Sequence, residues 1–421
     1  MLVWLLQIGE PIPAPGRDAK HFRTRMLASA LAGRGHRVLW WTSTFDHYAK
    51  RHLAETGETR EIESGVTVRF LPAFAYARNL SLRRYVSHIR TARAFRGAAR
   101  NEPAPDLIVA SMPDYFLAAE AVSYGRARGV PVVVDVRDQW PDVFLGVLPR
   151  WSRPLAAAAL APDRAKLRRL LRDADATTSV IDSVLSWAIE RAGRERTPAD
   201  RVFYLGSEAL PALDPSRVSA PVRHILEATA GRLVVLFAGT FGLLTRPNVI
   251  VEAAQRMGRD GQTDERLSFV LAGEGPGSKA VRRAARGLDN VYFSGWVEGD
   301  DLAALLGAAS VGIVASPPGH DAFPNKAFTY LAAGLPLLDS GEGELAKLAG
   351  EHGFGRTFRA GDADSLAGEI RYLQDHPDEA ERMGKAAQRF FVEECESGRI
   401  YPRFAEYLEE IAGSEPAKSI R

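Results

Sequence analysis

Residues 233–242 read LVVLFAGTFG, six apolar positions in a row and then a Gly-Thr-Phe-Gly turn. A strand that is apolar at every position, rather than at alternate ones, is buried on both faces, as in a parallel sheet covered by helices on either side. The same kind of run recurs downstream as LSFVLAG (267–273), VYFSGW (291–296), VGIVAS (311–316) and LPLLDS (335–340). Upstream it appears as VWLLQIG (3–9), RVLWWTS (37–43), VTVRFLPAF (66–74), DLIVASM (106–112), VPVVVDVRD (130–138), ATTSVID (176–182) and VFYLG (202–206). Helical patterns fill the gaps, among them 18–34, 247–257 and 302–309. This alternation predicts an α/β protein with two Rossmann-like, doubly wound parallel-sheet domains, 1–205 and 231–395. The segment 206–230 carries three prolines in SEALPALDPSRVSAPV and no period, and reads as the linker. In the tail, Tyr401, Phe404, Tyr407 and Leu408 fall at helical spacing, so a helix over 400–415 is expected to pack back on the first domain. Two such domains imply a cleft lined by the carboxyl ends of both sheets, the edge where open parallel sheets bind ligands.

Composition narrows the function. The 421 residues are 46% hydrophobic and 25% charged, the balance of a soluble globular chain, and suffice for two domains. Lys and Arg number 54 against 52 Asp and Glu, so net charge gives no case for nucleic acid. The single cysteine, Cys395, excludes an intrachain disulfide framework and a cysteine-rich zinc site, and fits a reducing cytoplasm. The apolar start, residues 1–8, is too short to span a membrane and reads as a buried strand.

Several motifs sit where the predicted strands end. The first βα loop, 9–18, reads GEPIPAPGRD and lacks GxGxxG, so a nicotinamide or flavin dinucleotide is not supported, and no GxxxxGK[ST] occurs. The loop is either a proline-stiffened connection with Asp18 capping the next helix, or a loop over the cleft that touches an acceptor. In VDVRDQWPD (134–142), Arg137 and Asp138 follow an apolar strand. Asp138 can hold a hydroxyl and assist its proton loss, or Arg137 can simply pair with Asp138 or Asp142. Gly239 and Thr240 allow backbone N–H groups to approach a phosphate, with Arg246 following. Glu274 lies in a glycine turn, GEGPG (273–277), and Gly295-Trp296-Val297 can offer backbone contacts to a flat base. In PPGHDAFPNKAFTYLAAGLP (317–336) a polar loop enters a helix near Pro324, whose N-terminus favours an anion while Lys326 adds a point charge. The stretch 78–100 holds seven arginines and no acid, with Leu82, Tyr85, Val86, Ile89, Ala92 and Phe95 interleaved. It reads as a solvated helix or as a basic amphipathic helix for the anionic inner leaflet. The pairs Asp173–Asp175 and Asp362–Asp364 read as caps, so no essential metal or other cofactor is predicted.

FAGTFG (237–242), LAGEGPG (271–277), VYFSGWV (291–297) and FPNKAFTYLAAGLP (323–336), in this order, resemble the GT-B glycosyltransferases. The closest likeness is to the retaining family 4 enzymes of bacterial surface-polysaccharide and O-antigen assembly. RGHRVLWWTS (34–43) and VRDQWP (136–141) agree with it. The resemblance implies a nucleotide-sugar donor, UDP- or GDP-linked, in the second domain, bound by Gly239, Thr240, Glu274, Trp296, Val297, Asp321, Phe323, Pro324, Asn325 and Thr329. Arg246 and Lys326 would stabilise the leaving diphosphate, with Asp138 as positioning group or weak base. Gly16, Arg17, Asp18 and Arg137 would face a glycan or lipid-linked acceptor. In the family the position of Thr329 is usually a ribose-binding glutamate, and its partner eight residues earlier is here Asp321. A cytoplasmic enzyme peripheral to the inner membrane is expected. Two other readings remain on the same fold: a nucleotide-sugar epimerase, and a non-catalytic sugar-nucleotide-binding assembly subunit.

Overall fold

The computed structural model describes residues 1–12, 22–78, 81–146, 148–242, 245–258, 264–318 and 323–414. The chain separates into two compact units, Met1–Tyr204 together with the stretch from Ile400, and Leu205–Arg399.

The first unit is built on β1 (Leu2–Leu6), β2 (Arg37–Ser43), β3 (Thr59–Glu63), β4 (Val66–Leu71), β5 (Leu107–Ser111), β6 (Val132–Val136), β7 (Ala176–Ser179) and β8 (Arg201–Val202). Their order across the sheet is β3-β4-β2-β1-β5-β6-β7-β8, all parallel except β3. β1 pairs β2 on one side and β5 on the other, so the winding reverses between β1 and β5. One face of the sheet, through Val3, Leu5, Trp40 and Val109, packs on the helix Arg23–Gly33 and on the C-terminal helix Ser397–Gly413. The other carries Trp4 and Trp41, whose rings lie 5.2 Å apart and meet Phe95 of the helix Leu82–Ala98. Burial of each such side chain contributes about 1.5–3 kcal/mol. Tyr401, Phe404, Tyr407 and Leu408 are all buried in this unit, and Phe404 stacks on Phe203 at 4.2 Å.

The second unit contains β9 (Leu233–Ala238), β10 (Leu267–Ala272), β11 (Val291–Gly295), β12 (Val311–Val314), β13 (Leu337–Asp339) and β14 (Gly355–Thr357), in the order β11-β10-β9-β12-β13-β14. All of its pairings are parallel. The winding reverses between β9 and β12. In open parallel sheets such a reversal is where the loops at the carboxyl ends part and ligands bind.

The two Rossmann-like sheets are those the apolar runs predict. The linker reading of 206–230 is corrected: this stretch contains the helix Ala220–Thr229, which buries Val222, Ile225 and Thr229 within the second unit. Its start is held by Asp301, whose carboxylate accepts the Ser219 N–H at 2.7 Å. Pro221 sits in the first helical turn, where a missing N–H costs nothing, so the proline that suggested a break marks a beginning.

Candidate functional site: a glycine cradle over a buried lysine

In the second unit the turn after β9 is interlocked with the turn after β10. Gly239 N–H donates to Ala272 O at 2.8 Å, Phe241 N–H to Glu274 O at 3.0 Å, and Gly277 N–H to Phe241 O at 2.9 Å. Gly273 has φ +154°, and a Cβ there would fall 1.8 Å from Gly239 O. The GEGPG glycines therefore serve the close approach of two backbones.

Beneath Gly239 lies Lys326, in the first turn of the helix Asn325–Ala332. Its Nζ sits 3.7 Å from the Phe237 ring centroid and has no hydrogen-bond partner among the described residues. A Cβ on Gly239 would come within 3.0 Å of that nitrogen. Burial pulls the Lys326 ammonium down to about 7. The helix is fixed by Tyr330, whose hydroxyl oxygen accepts the Ala238 N–H at 2.7 Å. Pro324 is its N-cap and provides no side-chain cap, so the first N–H groups of the helix are left uncapped by that residue. The topology thus brings Gly239, Thr240, Pro324, Asn325 and Lys326 together at the β9/β12 switch. The Thr240 N–H and the helix start supply donors, and the lysine supplies a charge held in an apolar seat.

The remaining expected residues are more dispersed. Thr329 is half-buried, and its hydroxyl reaches only the Asn325 carbonyl, at 3.5 Å. Phe323 is buried and stacks on Phe328 at 4.4 Å, a packing role. Glu274 pairs with Arg282 at 2.6 Å, and hydrogen bonds from Ser278 and Arg282 hold its carboxyl below the usual range. Trp296 is exposed beside half-buried Val297 after β11, two strands from β9, and donates to Glu298 at 2.9 Å. Arg246 is exposed beside Gly361, with its backbone N–H on Ala315 O. Asp321 lies outside the described residues.

In the first unit the carboxyl edge holds a buried ionic network. Asp135, at the end of β6, accepts two bonds from Arg23, at 3.0 and 2.9 Å, one from Arg137 at 2.8 Å and one from Thr178 at 3.0 Å. Arg137 also donates to Glu10, Thr24 and Ser111. Burial alone would raise the Asp135 carboxyl, but Arg23 and Arg137 overcome it and hold the group well below the carboxylate range. This corrects two expectations for Arg137. It pairs with Asp135 and Glu10, not with Asp138 or Asp142, and its guanidinium is committed to the scaffold rather than turned to an acceptor. Asp142 instead binds Arg164 and Arg191.

Asp138 stays at the edge, accepting the Gln139 N–H at 2.8 Å and the Trp140 indole N–H at 3.1 Å. Crowding raises its carboxyl above the usual range, against those bonds and Arg84. Around it are residues the sequence did not point to. The Arg84 guanidinium lies 4.6 Å from the Trp140 ring centroid and 5.7 Å from that of Tyr76. Tyr76 and His47 share a 2.9 Å hydrogen bond, and burial, then Arg84 and Lys50, bring His47 down to about 4. Only the RDQW stretch hinted at this grouping, because the other members come from separate loops. Gly16, Arg17 and Asp18 lie outside the described residues.

Asp362 does cap its helix, accepting from Asp364 and Ser365, whereas Asp173 pairs with Arg126 and Arg172 instead of capping. Among the described residues no group of three or more His, Cys, Asp and Glu is placed to hold a metal.

Two Rossmann-like sheets with a glycine turn and a helix start at the switch of the second define the GT-B architecture. Residues 21–206 match the family described as glycosyl transferase 4-like domain, and 232–376 match glycosyl transferases group 1. The chain belongs to the family 4 type of GT-B glycosyltransferases. It is 30% identical over 146 residues to the MMP alpha-(1->4)-mannosyltransferase of Mycolicibacterium hassiacum, 34% of each chain. It is 27% identical over 267 residues to the D-rhamnosyltransferase WbpZ of Pseudomonas aeruginosa, 61% of this chain and 66% of that one. The matches therefore span about a third and just under two thirds of these curated relatives. The Anabaena protein HepE, solved in complex with UDP, shares the fold, with a TM-score of 0.64 at 14% identity over 97% of this chain and 99% of that one.

Proposed function

We propose that this chain transfers a glycosyl group from a nucleoside-diphosphate sugar, UDP- or GDP-linked, to a hydroxyl of a glycan or lipid-linked acceptor, with retention at the anomeric carbon. The bond from that carbon to the β-phosphate oxygen breaks, and a bond to the acceptor oxygen forms on the same face. The hydroxyl proton passes to the departing phosphate oxygen, so no separate base is needed. Charge grows on the diphosphate as it leaves. The Thr240 N–H, the start of the helix Asn325–Ala332, Lys326 and Arg246 supply the opposing field, with Gly239 allowing the close approach. Asp138 holds the acceptor hydroxyl. The observation that carries this reading is Lys326, an ammonium without a hydrogen-bond partner among the described residues, seated under the glycine turn. Membership of the family and the UDP seen with HepE support it.

Incubation with UDP- and GDP-sugars without acceptor is the test. Slow release of free sugar and nucleoside diphosphate supports the transferase. Interconverted nucleotide sugars would make the chain an epimerase, and binding without turnover a binding subunit. The last reading has one observation in its favour: Thr329 cannot grip two ribose hydroxyls as a carboxylate does. Thr329→Glu is expected to tighten UDP binding about tenfold by calorimetry, the worth of one charge-assisted hydrogen bond. Unchanged or weaker binding would mean that the ribose lies elsewhere.

A further inference from the structure

Three of the seven arginines of the basic stretch expected to meet a membrane are engaged within their own unit, while Arg78, Arg83, Arg93 and Arg100 stay exposed. Arg96 pairs with Glu120, Arg90 lies over the Phe74 ring and Arg84 over Trp140, while Ala92 and Phe95 are buried. A different surface of the same unit is unaccounted for. Trp151 is 84% exposed and Leu155 78% exposed. Leu155 belongs to the helix Arg153–Ala159, RPLAAAA, none of whose residues is buried. Pro154, Leu155, Ala158 and Ala159 are exposed, and large apolar side chains clustered on a surface in this way mark a site of association.

That helix runs directly into a second, Ala161–Asp173, which buries Leu167, Leu170 and Leu171 and turns Arg164, Arg168 and Arg172 outward at four-residue spacing. Between it and the helix Asp182–Ala192 lies a groove of about 540 Å³, lined by these three with Arg169, Arg191 and Glu190. Five guanidinium groups thus face one carboxylate. Arg164 and Arg191 are bridged by Asp142 and Arg172 pairs with Asp173, but among the described residues Arg168 and Arg169 make no ion pair or hydrogen bond. Leu82, Tyr85 and Val86 of the helix Leu82–Ala98 are also exposed, and the Tyr85 hydroxyl donates to Asp163 at 3.1 Å.

We infer that this face of the first unit docks on an anionic phospholipid bilayer, Trp151 and Leu155 entering the interface and the Arg168/Arg169 groove taking headgroup phosphates. Charge complementarity selects this occupant. Residues 154–160 read PLAAAAL and hold no side chain that can form a hydrogen bond, so a protein partner would find no polar anchor there. A bilayer needs none: it accepts the apolar ridge, while the adjoining arginines meet phosphate. The inference extends the lipid-linked acceptor reading but does not depend on it.

The test is co-sedimentation of the full chain with vesicles of about one-third phosphatidylglycerol in phosphatidylcholine, against phosphatidylcholine alone. Binding to the anionic vesicles, reversed by salt, is expected. Trp151→Ser with Leu155→Ser should weaken it about tenfold or more, and Arg168→Glu with Arg169→Glu about 100-fold. Sugar release from the donor, measured in solution on the same variants, should stay at the parent rate, so a failed transferase reading is seen separately. No binding to anionic vesicles, or binding that both double variants leave unchanged, would overturn the inference. So would a dimer in sedimentation equilibrium that Trp151→Ser with Leu155→Ser converts to monomer, because a second copy would then be the cover.

Discussion

Lys326→Met should make the protein more stable at neutral pH and nearly inactive. In the folded chain the ammonium is seated on the Phe237 ring with no hydrogen-bond partner among the described residues. A methionine places similar volume there without a charge. The burial cost has a definite pH dependence. An unfolded lysine titrates near about 10.4, and Lys326 in the folded chain near about 7. Below pH 7 the side chain is charged in both states and the cost is fully present. As pH rises through the folded value the native state sheds its proton first, so native stability climbs until the unfolded lysine titrates as well. The melting temperature of Lys326→Met should exceed that of the parent most at pH 6, by an amount equivalent to about 2 kcal/mol, and the gap should narrow towards pH 9. Loss of the charge opposite the diphosphate should lower sugar turnover by about 100-fold or more. Donor affinity of the parent should fall as pH rises above about 7, because the diphosphate binds the protonated amine. Thermal melts across pH, calorimetry on UDP and the sugar-release assay check all three. A variant that melts lower at pH 6, or turns over sugar normally, would show that the lysine is packing and not a phosphate partner.

The second large effect belongs to Asp135. Its carboxylate accepts from Arg23, Arg137 and Thr178 at a site with 1% of the side chain exposed. Asp135→Asn leaves Arg23 and Arg137 buried with a neutral partner. Breaking a buried pair this way costs about 3–5 kcal/mol, or roughly 10 °C of melting temperature for a unit of this size. Arg23→Met combined with Asp135→Leu removes both charges together and should recover a large part of that loss. The parent carboxyl is held far below its unfolded value, so its contribution is complete at neutral pH and is lost only as pH falls below about 4. Acid melts of Asp135→Asn should therefore converge on the parent only at the lowest pH values. A single variant within about 0.5 kcal/mol of the parent would refute the cross-link.

Much of this was readable from residue pattern. Continuous apolar runs marked twelve of the strands, because a doubly covered parallel sheet leaves no polar alternation to confuse the signal. The exceptions are β3, TREIE, whose polar alternation suits a charged antiparallel edge, and β14, three residues long. The Gly239 turn and the helix at Asn325 were legible because strand ends and helix starts have local signatures. Partner choice was not. Arg137 has acids at 135, 138 and 142 within easy reach, and only the fold decides that Asp135 and distant Glu10 receive it. The apolar seat of Lys326 and the exposure of Trp151 are likewise properties of packing, and nothing in FPNKAF or PRWSRPL states them.

The first unit is discontinuous along the chain, since its sheet needs Phe404, Tyr407 and Leu408 to cover Phe203 and its neighbours. On the ribosome the order of completion is therefore inverted. The second unit has all of Leu205–Arg399 in hand while the first, although made earlier, still waits with a greasy flank uncovered until the closing helix emerges. At about 5–20 residues per second that interval lasts on the order of ten seconds or more. A trigger-factor-like holdase has something to do in that interval, and a stop codon near position 399 would leave the earlier-made half, not the later one, for the proteases.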